Sequence, residues 1–228
     1  TFGYELAVIM HDGLKRMYEK MELIYYYITV MNENYTHPAM PKGAEADILK
    51  GMYLFREGPD AKKPRVQLMG SGSIFREVIA ASELLELDWG VASDVWSCTS
   101  FTELRRDGMA AERINLLHPE DKPQLSHVAK LLKGRKGPAI ASTDYMRSFA
   151  DQIRPYVGER KYTVLGTDGY GRSDTRKQLR KFFEVNRYYV TVAALKALAD
   201  DGQIQAKVVS DAIKKYAIDP AKPAPWTV

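Results

Sequence analysis

The spacing of apolar residues predicts a helix followed by a strand at the start of the chain. Residues 4–20 carry apolar side chains at helical intervals. Residues 22–31, which read ELIYYYITVM, are rich in β-branched and aromatic side chains and are typical of a largely buried strand. Residues 32–43, NENYTHPAMPKG, contain two prolines and no periodicity, which predicts a linker. One helix and one strand cannot bury their apolar surface alone, so we expect this unit to be the end of a preceding domain.

Strands and helices then alternate along the rest of the chain. The pattern predicts strands at residues 52–56, 66–69, 91–97, 139–142 and 162–166. It predicts helical segments at residues 44–50, 74–87, 101–117, 124–132, 144–157, 174–183, 188–201 and 206–216. Alternation of this kind is typical of an α/β fold, in which helices cover both faces of a parallel or mostly parallel sheet.

The composition is typical of a soluble globular protein, but it does not indicate a function. Hydrophobic residues make up 45% and charged residues 27%, as in an ordinary soluble domain, and no apolar stretch reaches the roughly 20 residues that span a bilayer. No signal peptide is visible, and the single cysteine excludes an intrachain disulfide, so we expect a cytoplasmic location. The net charge of +4 is mild and the charges are interleaved, which does not favour nucleic-acid binding.

Few residues have the spacing of a known catalytic or metal site. The four histidines show no metal-ligand spacing, either among themselves or with Cys98. Cys98 is either a catalytic thiol, which would need a base and an electropositive setting, or a buried strand residue, and the second interpretation is favoured. Residues 176–181 give one helix a basic face, which is either solvated or the docking surface of an acidic partner.

Two glycine-rich loops allow both a functional and a structural interpretation. Residues 70–73, GSGS, follow a predicted strand, but Phe75 stands where a dinucleotide fingerprint needs its third glycine. This loop either presents a helix N-terminus to an anion or is a tight turn in which Ser73 caps the helix. Residues 166–176 either present Asp168 and Arg172 to a ligand or use glycines for positive φ while Asp174 caps the next helix. The structural interpretation is favoured in both loops.

Longer motifs carry a resemblance to a known family. The stretches YELAVIMHDGLKRMY (4–18), NENYTHPAMP (32–41), VQLMGSGSIFREV (66–78) and VLGTDGYGRSDTR (164–176) resemble the C-terminal third of the homodimeric bacterial pyruvate dehydrogenases, which are transketolase-like thiamine-diphosphate enzymes. The resemblance implies that residues 1–36 are the end of a pyrimidine-binding domain, residues 37–42 a linker and residues 43–228 a C-terminal domain. The implied fold is a three-layer α/β/α domain with five strands in the order 1-3-2-4-5, of which strand 1 is antiparallel.

The resemblance also implies an activity for the full-length enzyme. Such an enzyme decarboxylates pyruvate on thiamine diphosphate and transfers the acetyl group to the lipoyl group of a dihydrolipoyl acetyltransferase. In the family, a G-D-G…N-N motif holds the diphosphate and Mg²⁺, and this chain contains neither part of it. No catalytic, cofactor-binding or metal-binding residue is therefore carried over, and we expect a structural and dimerising segment that is inactive alone. The alternative is a stand-alone α/β module that binds a small anion or a protein partner.

The implied strand order also predicts where a non-catalytic ligand would bind. In doubly wound sheets the crevice lies at the carboxyl ends of the strands, where the strand order reverses. We expect the turns after the strands at 66–69 and 139–142 to meet there, within roughly 10 Å. The crevice residues would be Ser71, Gly72, Ser73, Ser142, Thr143 and Asp144, with Asp168 one strand further out. Either a small anion or water occupies this crevice, or side chains fill it, and the second is favoured.

Overall fold

The computed structural model describes residues 1–59 and 62–228. Its first element is helix α1, Gly3–Leu14, which continues into one π-helical turn at Lys15–Glu19 and so confirms the helix predicted at 4–20. The strand predicted at residues 22–31 is wrong, because that segment forms no ladder hydrogen bonds. A strand exists only beside a neighbouring strand, and among the described residues none lies next to this segment.

Within the described ranges, five strands and eight further α-helices follow. The strands are β1 (Met52–Arg56), β2 (Arg65–Gly70), β3 (Ala92–Cys98), β4 (Ala139–Ser142) and β5 (Tyr162–Leu165). The helices are α2 (Glu45–Leu49), α3 (Phe75–Trp89), α4 (Phe101–Leu117), α5 (His127–Leu132), α6 (Arg147–Asp151), α7 (Arg176–Phe182), α8 (Arg187–Asp200) and α9 (Ala206–Lys215). The long helix predicted at 144–157 is broken into α6 and a 3₁₀ turn at Arg154–Tyr156. That turn carries Pro155, which lacks the amide hydrogen that a continuous helix needs.

The sheet has the predicted order. Its strands run β1-β3-β2-β4-β5, with β1 antiparallel to β3 and all other neighbours parallel. Leu68 in the central strand β2 pairs with Val95 on one side and Ile140 on the other. The predicted fold class is confirmed.

Both faces of the sheet are covered by helices. Val66 and Leu68 of β2 point to one face, where they join a core with residues of α3, α8 and α9. Met69 points to the opposite face and joins a second core, built with α4, α5 and α6. This alternation of side chains along β2 produces the three-layer arrangement. None of the helices in the described ranges combines the length and the apolar character that crossing a membrane requires.

The N-terminal residues are partly packed and partly exposed. Phe2 is buried in the first core, where its ring stacks on Phe55 at a centroid distance of 5.5 Å and meets Phe75 edge-on at 5.9 Å. Further along, Leu23 and Tyr25 are almost fully exposed, at 105% and 89% of their reference areas. The segment from residue 22 to 31 therefore presents an apolar surface that the described residues do not cover.

Candidate functional site

The two turns expected at the switch point are in contact. Strand β2 has β3 on one side and β4 on the other, so its carboxyl end is the point where the chain leaves in both directions. The Ser71 hydroxyl donates to Thr143 Oγ1 at 2.9 Å, and the Ser71 amide donates to the Ser142 carbonyl at 3.4 Å. Gly70 permits the close approach of α3, because a Cβ there would lie 2.8 Å from Cγ2 of Val78. The structure thus brings the predicted crevice residues together.

The interior of this crevice is filled by protein groups. The side chains of Ser73, Ser142 and Thr143 are buried. Ser142 donates to the carbonyl of Val185 at 3.5 Å, and Thr143 Oγ1 accepts from Ser71. Ser73 does not cap α3, contrary to prediction: its hydroxyl accepts from Arg180 at 3.2 Å, and a 3₁₀ turn at Gly72–Ile74 precedes the helix. Within the described ranges, no buried side-chain nitrogen or oxygen lacks a hydrogen-bond partner.

Gly72 and Asp144 form the mouth of the crevice. Gly72 has φ +54°, and a Cβ at that position would lie 3.6 Å from Asp144 Oδ1. The Thr1 hydroxyl donates to the Gly72 carbonyl at 2.7 Å. Burial raises the pKa of Asp144, and the charge of Arg180 opposes that rise. The mouth is therefore a half-buried acidic position facing an arginine.

Asp168 follows β5, one strand further out than β4, as expected. It forms an ion pair with Arg147. Its carboxylate accepts from the Arg147 amide at 3.2 Å and from Arg147 Nε at 3.1 Å. Gly169 has φ +114°, and a Cβ there would lie 2.6 Å from the Pro225 carbonyl, so the C-terminal tail packs directly on this loop. Arg147 stacks on Trp226 of that tail at 4.2 Å.

The rest of the 166–176 loop differs from prediction at two points. Of its glycines at 166, 169 and 171, only Gly169 has a positive φ, and the helix begins one residue later than expected. The helix cap is Thr175, whose hydroxyl accepts from the Gln178 amide, whereas Asp174 bonds only the Thr175 amide. Arg172 lies over the ring of Phe182 at 4.2 Å and does not meet Asp168 in a shared site. Both contacts join the loop to helix α7.

A carboxylate that sequence reasoning missed lies beside the crevice. Glu33 belongs to the segment between α1 and α2, and its side chain is only 15% exposed. It accepts from Arg180 at 2.5 Å and from Arg76 at 2.8 Å, and Arg176 Nε lies 3.8 Å away. Burial alone would raise the pKa of Glu33, but the hydrogen bond and charge of Arg180 outweigh it and hold the pKa below its usual value. The basic face predicted at 176–181 was the one signal in the sequence that pointed here.

A second carboxylate, Glu77, continues the same network. It accepts from Arg187 Nε at 2.9 Å, Arg187 Nη2 at 3.1 Å and the Arg187 amide at 3.0 Å. Arg180 Nη1 lies 3.6 Å from its other side. Arg180 therefore joins Glu33, Ser73 and Glu77, and it connects the N-terminal segment to α3 and α7.

The two remaining candidates, Cys98 and His127, are buried in the protein. Cys98 is buried in β3 as part of the second core, and this burial raises the pKa of its thiol far above the usual value. His127 is buried with Nε2 at 2.9 Å from the Met52 carbonyl. No group of three or more potential metal ligands occurs among the residues described.

Comparison with known families identifies the fold. Residues 51–186 match the family described as the transketolase-like C-terminal domain. The chain belongs to this family. Residues 1–38 match a second family, the middle domain of the pyruvate dehydrogenase E1 component. The transketolase-like domain thus holds all five strands, and the exposed N-terminal segment falls within the other match.

Curated relatives agree with both family matches. The chain is 66% identical to the pyruvate dehydrogenase E1 component of Cupriavidus necator, over 100% of this chain and 26% of the relative. It is 56% identical to that of Escherichia coli K12, over 99% of this chain and 25% of the relative. The chain therefore spans about a quarter of the length of these relatives. The expected resemblance to bacterial pyruvate dehydrogenases is confirmed.

Solved transketolases share part of the structure. A transketolase from Pichia stipitis in complex with sedoheptulose-7-phosphate superposes with a TM-score of 0.47 and 18% identity, over 73% of this chain and 20% of that chain. The fold assignment rests on the sheet order and the family match.

Proposed function

We propose that this chain is the C-terminal part of a pyruvate dehydrogenase E1 component. The full-length protein is an oxidoreductase that decarboxylates pyruvate on thiamine diphosphate with Mg²⁺. It passes the acetyl group to the lipoyl group of a dihydrolipoyl acetyltransferase, and it works as a cytoplasmic homodimer. The observation that carries the proposal is 66% identity along the whole chain to a protein named as such a component. The cofactor supplies the carbanion chemistry, and the protein binds and orients it.

Within that enzyme we assign this segment a structural and dimerising role. Residues 1–36 are the end of the pyrimidine-binding domain, residues 37–42 the linker and residues 43–228 the C-terminal domain. The exposed apolar segment at residues 22–31 supports this division, because a domain that is stable alone rarely exposes a large apolar surface. The same observation weighs against a stand-alone binding module.

The activity is tested on the full-length protein. We expect it to reduce the lipoyl group of an acetyltransferase in the presence of pyruvate, thiamine diphosphate and Mg²⁺, with loss of CO₂. Failure with pyruvate, together with turnover of a sugar phosphate, would instead indicate a transketolase.

The structural role of this segment is tested on the isolated chain. Calorimetric titration with thiamine diphosphate and Mg²⁺ should show no binding, whereas the full-length protein serves as the positive control. Micromolar binding to the isolated chain would show that it contains a cofactor site and would contradict the assigned role.

A further inference from the structure

The cluster of arginines beside the switch-point crevice is arranged as an oxyanion site. We propose that Arg76, Arg176 and Arg180 form a site for a small oxyanion, and that the chain fills this site itself with the carboxylate of Glu33. The class of ligand is a carboxylate or inorganic phosphate, whose oxygens accept from guanidinium groups in the same way. This goes beyond the proposed activity, because the site contains no group that the family uses to bind its cofactor.

The geometry around Glu33 is that of a bound ion. Arg76 donates to Oε1 at 2.8 Å and Arg180 donates to Oε2 at 2.5 Å, so each carboxylate oxygen has its own charged donor. Arg180 also approaches Oε1 at 3.4 Å, which makes its contact two-pronged. Arg176 Nε completes the ring at 3.8 Å from Oε2. Charged hydrogen bonds of this kind are about twice as strong as neutral ones.

The arginines are held in place by contacts other than Glu33. Arg180 is fixed by Ser73 Oγ at 3.2 Å and by Glu77 at 3.6 Å. Arg76 stacks over the Tyr35 ring at 4.4 Å, and Arg176 donates to the Asn32 carbonyl. The frame of the site should therefore persist when the Glu33 carboxylate is removed.

The segment that carries Glu33 has independent anchors on both sides. Thr29 Oγ1 lies 2.6 Å from the Tyr145 hydroxyl, and the Tyr35 hydroxyl donates to the Thr1 carbonyl at 2.5 Å. His37 Nδ1 accepts from the Gly3 amide at 2.8 Å. Loss of the Glu33 carboxylate should therefore leave this segment in place.

Electrostatics favour an anion in the vacated space. Without Glu33, the guanidinium groups of Arg76, Arg176 and Arg180 lose a carboxylate that they share. The carboxylates of Glu77 and Asp144 remain close to Arg180. Half-buried positive charges are less screened than exposed ones, so the cluster should recruit an anion from solution.

The test is anion rescue in the full-length protein. We expect Glu33→Ala to exchange the amide hydrogens of residues 176–182 faster than the natural protein in chloride. Sodium acetate or sodium phosphate, at matched ionic strength and tenfold above its dissociation constant, should slow that exchange roughly tenfold. The natural protein should show no anion effect, because Glu33 already fills the site. Whether acetate, phosphate or both produce the rescue identifies the preferred oxyanion.

Two variants separate this site from general effects of salt. Glu33→Ala combined with Arg180→Ala should lose the rescue. Asp200→Asn, which removes the partner of the exposed Lys196, should show no rescue. Equal slowing in chloride and acetate, or rescue that survives Arg180→Ala, would overturn the proposal. If Glu33→Ala does not fold, Glu33→Gln replaces it, and exchange at 176–182 as slow as in the natural protein would count against the site. The measurement needs no pyruvate or cofactor, so its outcome is independent of the proposed activity.

Discussion

Gly137 occupies a position that tolerates no side chain. Its φ is +84°, and a Cβ would lie 1.7 Å from the carbonyl oxygen of Arg65, at the start of β2. Gly134, in the same connection before β4, has a similar φ of +76° with nothing within 4 Å of a Cβ. The two glycines therefore share a left-handed backbone conformation that would strain any residue with a Cβ, and they differ only in the contact.

Substituting alanine at each glycine separates these two effects. We expect Gly134→Ala to lower the free energy of unfolding by about 1 kcal/mol through backbone strain alone. Gly137→Ala should lower it by about 3 kcal/mol or more, because the clash adds to the strain. Urea denaturation of both variants provides the measurement, and equal losses would show that β2 shifts to accommodate the methyl group.

Glu77 should make stability depend on pH in the acid range. Burial alone would raise the pKa of Glu77, but its bonds to Arg187 outweigh this and lower the pKa. A lowered folded-state pKa contributes stability above the unfolded value of about 4.3, and that stability is lost as pH falls through the folded value.

We therefore expect Glu77→Gln to destabilise the chain by about 3 kcal/mol at pH 7, the usual result of breaking a buried ion pair. The difference from the natural chain should shrink as the pH falls below about 4.3, where Glu77 is protonated first in the unfolded and then in the folded state. Asp151→Asn removes an exposed pair with Arg154 and should cost about 0.5 kcal/mol or less. Urea denaturation across this pH range is the measurement, and a difference that grows on acidification would contradict the assignment.

At this scale the sequence predicted residue types better than residue partners. The hydroxyls at Ser73 and Ser142 were expected in the crevice and lie there. The predicted role of Ser73 as a helix cap was wrong. Its hydroxyl instead accepts a hydrogen bond from Arg180, which is 107 positions away in the sequence. Glu33 was missed for the same reason, since 147 positions separate it from Arg180 and no local pattern records such a pairing.

At the scale of elements, local periodicity predicted several of the packed elements well. The strands at β1 and β4 and the helix α4 have their predicted bounds, because buried faces at a regular spacing fix both type and length. The segment at residues 22–31 has the composition of a strand without becoming one. Its composition shows that these residue types favour a strand conformation. A strand also needs a neighbouring strand for its backbone hydrogen bonds, and the described residues provide none beside this segment.

That segment should be the least protected apolar stretch of the chain. We expect the amide hydrogens of residues 25–31 to exchange far faster than those of β2, whose backbone is bonded on both sides. Hydrogen exchange of the isolated chain, read on peptides covering the two segments, provides the measurement. Protection equal to that of β2 would indicate that residues 22–31 pair with another strand, for example in a second copy of the chain.

At the scale of the whole molecule, the order of the strands could not come from periodicity. Alternation predicted a mostly parallel sheet, but the position of β3 between β1 and β2 was implied only by the resemblance to the family. The hydrophobic pattern shows which face of a strand is buried. It does not show which strand lies beside it, because that depends on how distant parts of the chain pack together.

The burial of Phe2 has a consequence for cutting the chain. A break at residues 37–42 would remove the covalent connection between the N-terminal segment and the rest. Phe2 would still lie against Phe55 and Phe75, and Glu33 would still be bound by its arginines. The two pieces should therefore reassociate when mixed, as complementing fragments do. The chain can therefore be cut at the domain boundary at residues 37–42, but the contacts across that boundary should keep the two pieces together.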